Sequence, residues 1–107
     1  MLIRSQNKEV LVAFENLLNI EVSGGVISAR RDMGWCCLLG EYSTKAKAMK
    51  VLDMIQEAYA NEKLVDYTTY LQRKEIEKMD DSTILALRNE LMKKAVFQMP
   101  EDGSVEA

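Results

Sequence analysis

"GEYSTKAKAMKVLDMIQEAYANE", residues 40–62, is where this chain changes period. Before it, apolar residues gather in short runs parted by turn residues; within it they recur at helical spacing. Ser43 or Thr44 suits a helix N-cap. Ala48, Val51, Leu52, Ile55 and Tyr59 then follow the i, i+3, i+4, i+7, i+11 stripe of a helix that buries one face. Lys45, Lys47 and Lys50 leave the stripe free and face water, although cations in a first turn oppose the helix dipole. Strands on one side of the switch and helix on the other predict an α+β fold.

Upstream, Leu2-Ile3 and Val10-Leu11-Val12-Ala13-Phe14 flank the turn-like Gln6-Asn7-Lys8, the pattern of a hairpin. "NIEV" meets Ser23-Gly24-Gly25, where glycine supplies positive φ without steric cost. "VISARR" follows, and "DMG" turns into "WCCLLGEY". Residues 1–42 are therefore expected to form an antiparallel meander of four or five short strands. The run Trp35-Cys36-Cys37-Leu38-Leu39 is apolar on both faces and predicts a strand covered on both sides.

Downstream, helices are expected across 43–95. "NEKLVDYTTYLQRKEIEKM" reads either as a second helix or as a bent continuation of the first, so whether 43–60 and 62–79 are continuous stays open. Leu64, Tyr67 and Leu71 share a face, and Arg73 pairs with Glu77 at i, i+4. "DDSTILALRNELMKKA" starts a further helix, with Asp80, Asp81 and Ser82 competing as its cap. Its stripe is Ile84, Leu87, Leu91 and Ala95. Val96-Phe97-Gln98-Met99, stopped by Pro100, is a short strand (96–99) that joins the edge of the meander or pairs with a second chain. "EDGSVEA", residues 101–107, is polar and small and predicts a flexible tail.

A chain of 107 residues, 48% hydrophobic, is long enough for one packed domain spanning 1–107. Its formal net charge of -3 gives no global attraction to duplex DNA. No apolar run approaches the roughly 20 residues of a membrane span, and "MLIRSQNKEV" lacks the features of a signal peptide. Cys36 and Cys37 are neighbours, which on a strand point to opposite faces, so reduced thiols are expected.

The chain has no histidine. That removes the commonest general base near neutral pH and the commonest metal ligand. Two adjacent cysteines do not make a zinc site, and Gly24-Gly25 is a turn and no phosphate-binding fingerprint. Glu75, Glu77, Asp80 and Asp81 read as solvated charge. The expectation is a binding protein and not an enzyme, with no cofactor and no metal.

Two groups of residues are candidates for binding. Arg30 and Arg31 end one strand and Trp35 starts the next, so a guanidinium and an indole meet across a turn, as a phosphate clamp and a stacking platform do. The competing reading leaves one arginine on each face and Trp35 over the core. Tyr67, Tyr70, Arg73 and Lys74 recur at helical spacing, a face suited to a small anionic ligand or a partner helix, with a core or dimer contact as the alternative. Arg88 and Asn89 lie off the Ile84–Leu91 stripe and extend that surface. Seven methionines, among them Met49, Met54, Met79 and Met92 partly off the stripes, suggest a second apolar surface and a homo-oligomer built through the helices.

"IRSQNKEVLVAFENL", "LGEYSTKAKAMKVLDMIQ" and "VFQMPED" together resemble a family of small proteins carried by phages and prophages of Gram-positive bacteria. The strings cover the beginning, middle and end of the chain. Ala13 stands where that family has asparagine, and residues 58–94 stand between the IQ helix and the QMPE strand, so they resemble an insertion into a compact module. The resemblance implies a bacterial host cytoplasm and a role against host anti-phage defence. It implies either sequestration of a cyclic nucleotide or cyclic ADP-ribose type signal in an oligomer, or inhibition of a host protein such as a CRISPR nuclease through the inserted helices.

Overall fold

The computed structural model describes residues 1–32, 34–71, 80–83, 85, 86, 89 and 95–106, with side chains described throughout except over 65–71. Among them lie six short strands in two three-stranded sheets and one long helix, a mixed α+β fold. Strand β1 (Leu2–Arg4) pairs antiparallel with β2 (Leu11–Ala13) around the expected turn, in which Lys8 takes φ 68°. Strands β3 (Asn19–Ser23), β4 (Val26–Asp32) and β5 (Trp35–Glu41) form a second antiparallel sheet in the order β3-β4-β5. Gly24, at φ +61°, closes the β3–β4 turn. At the β4–β5 turn the Gly34 N–H donates to the Asp32 carboxylate at 2.9 Å.

The single meander expected over 1–42 is thus divided. A 3-10 turn at Phe14–Asn16 follows β2, and the chain passes through Leu17-Leu18 into the second sheet. The last strand, β6 (Val96–Gln98), returns to the first sheet, where it lies parallel to β1 with Ile3 opposite Phe97. Its choice of β1 gives the order β2-β1-β6.

Helix α1 (Lys45–Leu71) is unbroken, so residues 62–71 continue the first helix and no second helix begins there. Thr44 caps it, accepting the Lys47 N–H at 3.1 Å, while the Ser43 N–H is taken by Asp102 at 2.7 Å. Ala48, Val51 and Ile55 are buried beside Ile3, Ile27, Ala29, Leu39 and Met99 in one core. Lys45 to Glu62 spans about 26 Å at 1.5 Å per residue, close to the length of seven-residue β4, about 23 Å. Beyond that point Lys63 and Leu64 are exposed. Asp80 is the cap of the next helical residues, accepting the Thr83 N–H at 2.8 Å. The expected pairing of Arg73 with Glu77, the stripe residues Ile84, Leu87 and Leu91, and Met79 and Met92 lie outside the described residues. No described helix is long and apolar enough to cross a membrane.

Two further expectations are corrected. Strand β5 is covered on one face only: Leu39 is buried, while Cys36 is exposed and Leu38 is 47% exposed. The apolar run is double-faced because its outward residues are apolar too, and not because a second layer lies on it. The tail is also not loose over its described part. Residues 102–104 form a 3-10 turn, Val105 is buried in the core, and Lys50 donates to the Glu106 carbonyl.

Three stretches distant in sequence meet at one junction. The Gln6 N–H donates to Leu39 O at 2.7 Å, and its side-chain amide exchanges two hydrogen bonds with the Glu41 backbone, at 3.0 and 2.9 Å. Gln6 therefore caps the outer edge of β5 as a strand would. Tyr42 Oη donates to Pro100 O at 2.8 Å, and Gln98 Nε2 donates to Ser5 O at 2.9 Å. Gly25 lies so close that a β-carbon there would fall 2.0 Å from Tyr42 O.

Candidate binding surface at the far end of the second sheet

The opposite end of the second sheet is built differently. Between Arg30 and Asp32 the β4–β5 register shifts: Arg30 faces Cys36 and Asp32 faces Trp35, leaving Arg31 as the extra residue of a bulge. A bulge re-aims the side chain it carries. Here the Arg31 guanidinium lies over the Trp35 ring, 4.9 Å from its centroid. Of the three residues singled out at this turn, Arg31 and Trp35 come together. Arg30 sits one step back, half-buried, between Asn19 and Cys36 in register.

A groove of about 470 Å³ opens at the same end, between α1 and the segment linking the two sheets. Phe14, Leu17 and Leu18 form one wall and Leu52, Gln56 and Tyr59 the other, over Ile20 and Ile55. The Phe14 and Tyr59 rings meet at 4.5 Å between centroids, tilted by 32°. Leu18 is 66% exposed on the groove's lip, and its N–H donates to Arg30 O at 2.7 Å, which sets Leu18 beside the residue that precedes Arg31. Lys63 Nζ lies 5.2 Å from the Tyr59 ring centroid. One cation, Lys63, thus stands at a mainly apolar cleft whose lining holds no carboxylate, and Arg31 follows the residue bonded to its lip.

Two acids near the groove, Glu15 and Glu62, are engaged elsewhere. The Met1 amino group pairs with Glu15 at 2.5 Å and Glu62 at 3.3 Å. Burial acts most strongly and lowers its pKa, but the bond to Glu15 and the pairing with Glu62 together leave it raised, and the bond from the amine lowers that of Glu15. Asp102 is also held low, by the Ser43 N–H first. Burial pushes the Cys37 thiol up, which disfavours the reactive thiolate. Among the described residues no group of three or more His, Cys, Asp or Glu is placed to hold a metal ion.

The second candidate face is only partly described. Tyr67 and Tyr70 lie on α1, where the backbone alone is described. Asn89 is helical and exposed, and Arg73, Lys74 and Arg88 lie outside the described residues. Sequence reasoning missed the groove. Its walls come from residues 14–20 and 52–59, and neither stretch carries a binding pattern of its own. The one local signal was Leu17-Leu18, two leucines outside any strand. Comparison with known proteins finds no matching family model, no matching curated protein and no matching solved structure.

Proposed function

We propose that this protein is a non-enzymatic binding protein of phage or prophage origin that acts in the bacterial cytoplasm and sequesters a nucleotide-derived signal of host defence. The observation that carries the reading is the Arg31–Trp35 pair: an exposed guanidinium over a half-buried indole, set by a bulge and beside an open cleft. A cation next to an aromatic face is the chemistry that holds a phosphate and a base together. The lack of histidine supports binding over catalysis. Arg30, Tyr67, Tyr70, Arg73, Arg88 and Asn89 are the further contacts this reading assigns, from a neighbouring subunit where the helices associate.

The phage family enters here through "RSQ", "GEY" and "QMPE". Ser5 and Gln6, Glu41 and Tyr42, and Gln98 and Pro100 are the residues that close the junction of the two sheets. On our reading the likeness is therefore one of architecture, and the specific activity belongs to the other end and to the inserted helices.

Cyclic dinucleotides, cyclic trinucleotides and cyclic ADP-ribose isomers provide the test, read by thermal shift and by the fluorescence of Trp35, the sole tryptophan. A true ligand at one hundred times its Kd raises stability by about 2.7 kcal/mol, and Arg31→Ala abolishes the shift. If no member of the panel stabilises the protein, the reading falls.

A second reading has its own observation. Glu62 and Ala95 both meet the N-terminal strand, through Met1 at 3.3 Å and through the Leu2 N–H at 2.8 Å. The excursion between them leaves and re-enters at one corner, as an arm inserted for docking a host protein does. Pull-down from host lysate, with and without residues 63–94, tests it: a partner lost with the arm supports it, and one retained without the arm sinks it.

A further inference from the structure

We propose that the groove between α1 and residues 14–20 is a binding site for a planar aromatic group that carries an anionic substituent. This deepens the proposed function by naming where the ring of the ligand goes, and it rests on that reading only for the identity of the natural ligand. The cleft has a volume of about 470 Å³, within the range of small-molecule sites and too small for a protein helix lying along it. Its walls are mainly leucine side chains with the Phe14 and Tyr59 rings, which favour a flat apolar body.

Charge selects the rest of the ligand. The lining has no carboxylate, while Leu18 at one margin bonds to the carbonyl of Arg30, the residue before Arg31, and Lys63 stands over the Tyr59 ring at another. Glu15 and Glu62, close in the chain to the walls, are both paired with the Met1 amine, and Glu21 accepts from the Asn19 amide, while Asp53 and Glu57 are exposed on α1. The lining itself therefore sets no carboxylate against an anion tethered to the bound ring. The Gln56 carboxamide, exposed at the mouth and without a hydrogen-bond partner among the described residues, is free to read the polar edge of a heteroaromatic ring.

The probe is 1-anilinonaphthalene-8-sulfonate, a planar aromatic anion whose emission rises in an apolar site. Saturable one-to-one binding to the folded protein is expected, weakened at least tenfold by Leu18→Glu and several-fold by Arg31→Ala. Leu18 is 66% exposed, so Leu18→Glu keeps the fold, and a cooperative melt near that of the parent verifies it. Gln56→Glu, also at an exposed position, provides a second variant and weakens binding by adding an acid at the mouth. Displacement of the probe by 3′,5′-cyclic AMP or a cyclic dinucleotide supports both the site and the nucleotide reading. Binding that fails in Leu18→Glu but that no nucleotide displaces supports the site and overturns the nucleotide reading. No saturable binding, or binding unchanged in Leu18→Glu and Gln56→Glu, overturns the site.

Discussion

The two ends of the β3-β4-β5 sheet are finished in opposite ways. At the Gly25–Glu41 end, backbone and side-chain polar groups are matched: Gln6 caps β5, Tyr42 reaches Pro100, and Asp102 sits at the start of α1. At the Arg30–Trp35 end, a bulge leaves a stacked cation, an exposed leucine and an open cleft. The closed end is costly to alter because its polar groups are matched to one another, Pro100 O accepting from both Gln6 and Tyr42, and removing one side chain leaves bonds of its partners unmade. The open end has fewer matched polar groups, so substitutions of its exposed residues are expected to cost less stability.

The largest break in that contrast is expected from Gly25→Ala. The new methyl carbon would fall 2.0 Å from Tyr42 O, a backbone atom that cannot swing aside. A loss of about 3 kcal/mol or more follows, measured by urea melts. Gly103→Ala, where a β-carbon meets nothing within 4 Å, is the matched control and stays near neutral. Next comes Gln6→Ala, which strips the β5 edge of both Glu41 bonds and costs about 1–2 kcal/mol.

Tyr42 sharpens the comparison through pH. Burial first, then the charges of Glu101 and Asp102, push its phenol up to about 12 in the folded protein. The unfolded phenol ionises near 10, so the folded state favours the neutral form. The stabilisation is whole below pH 10 and is lost as pH rises from about 10 to about 12. Denaturant midpoints across that window check it, and Tyr42→Phe flattens the slope. The smallest effect is expected at the open end: Leu18→Glu and Arg31→Ala each change stability by less than about 1 kcal/mol. A large loss from either would mean that the far end is structural after all.

How far these ends were visible beforehand differs residue by residue. A helix starting near 43, capped by Ser43 or Thr44, with a buried stripe through Ala48, Val51, Leu52, Ile55 and Tyr59, followed from period and capping, because those interactions are local. The structure takes Thr44 as the cap and buries Ala48, Val51 and Ile55 most deeply. The hairpin turn after Arg4 and the glycine turn after Ser23 followed for the same reason. Arg31 and Trp35 were picked out by proximity in the chain, and the pair does form. Arg30 was grouped with them, but the bulge separates it, and register shifts depend on how three strands settle together. The tail was misread because composition alone says nothing of the helix start on which Asp102 and Val105 come to rest.

Taken alone, the amino-acid order determined an α+β chain, the place where strand gives way to helix, and the absence of histidine. Those follow from side-chain periodicity, backbone preference and residue chemistry, which act over a few positions. Tertiary structure decided that the strands divide into two sheets, that the last strand lies parallel to the first, and that residues 14–20 and 52–59 enclose a cleft. Each of these joins stretches tens of residues apart, and only the shared burial of Ile3, Ile27, Leu39 and Met99 against α1 selects one such joining over the others.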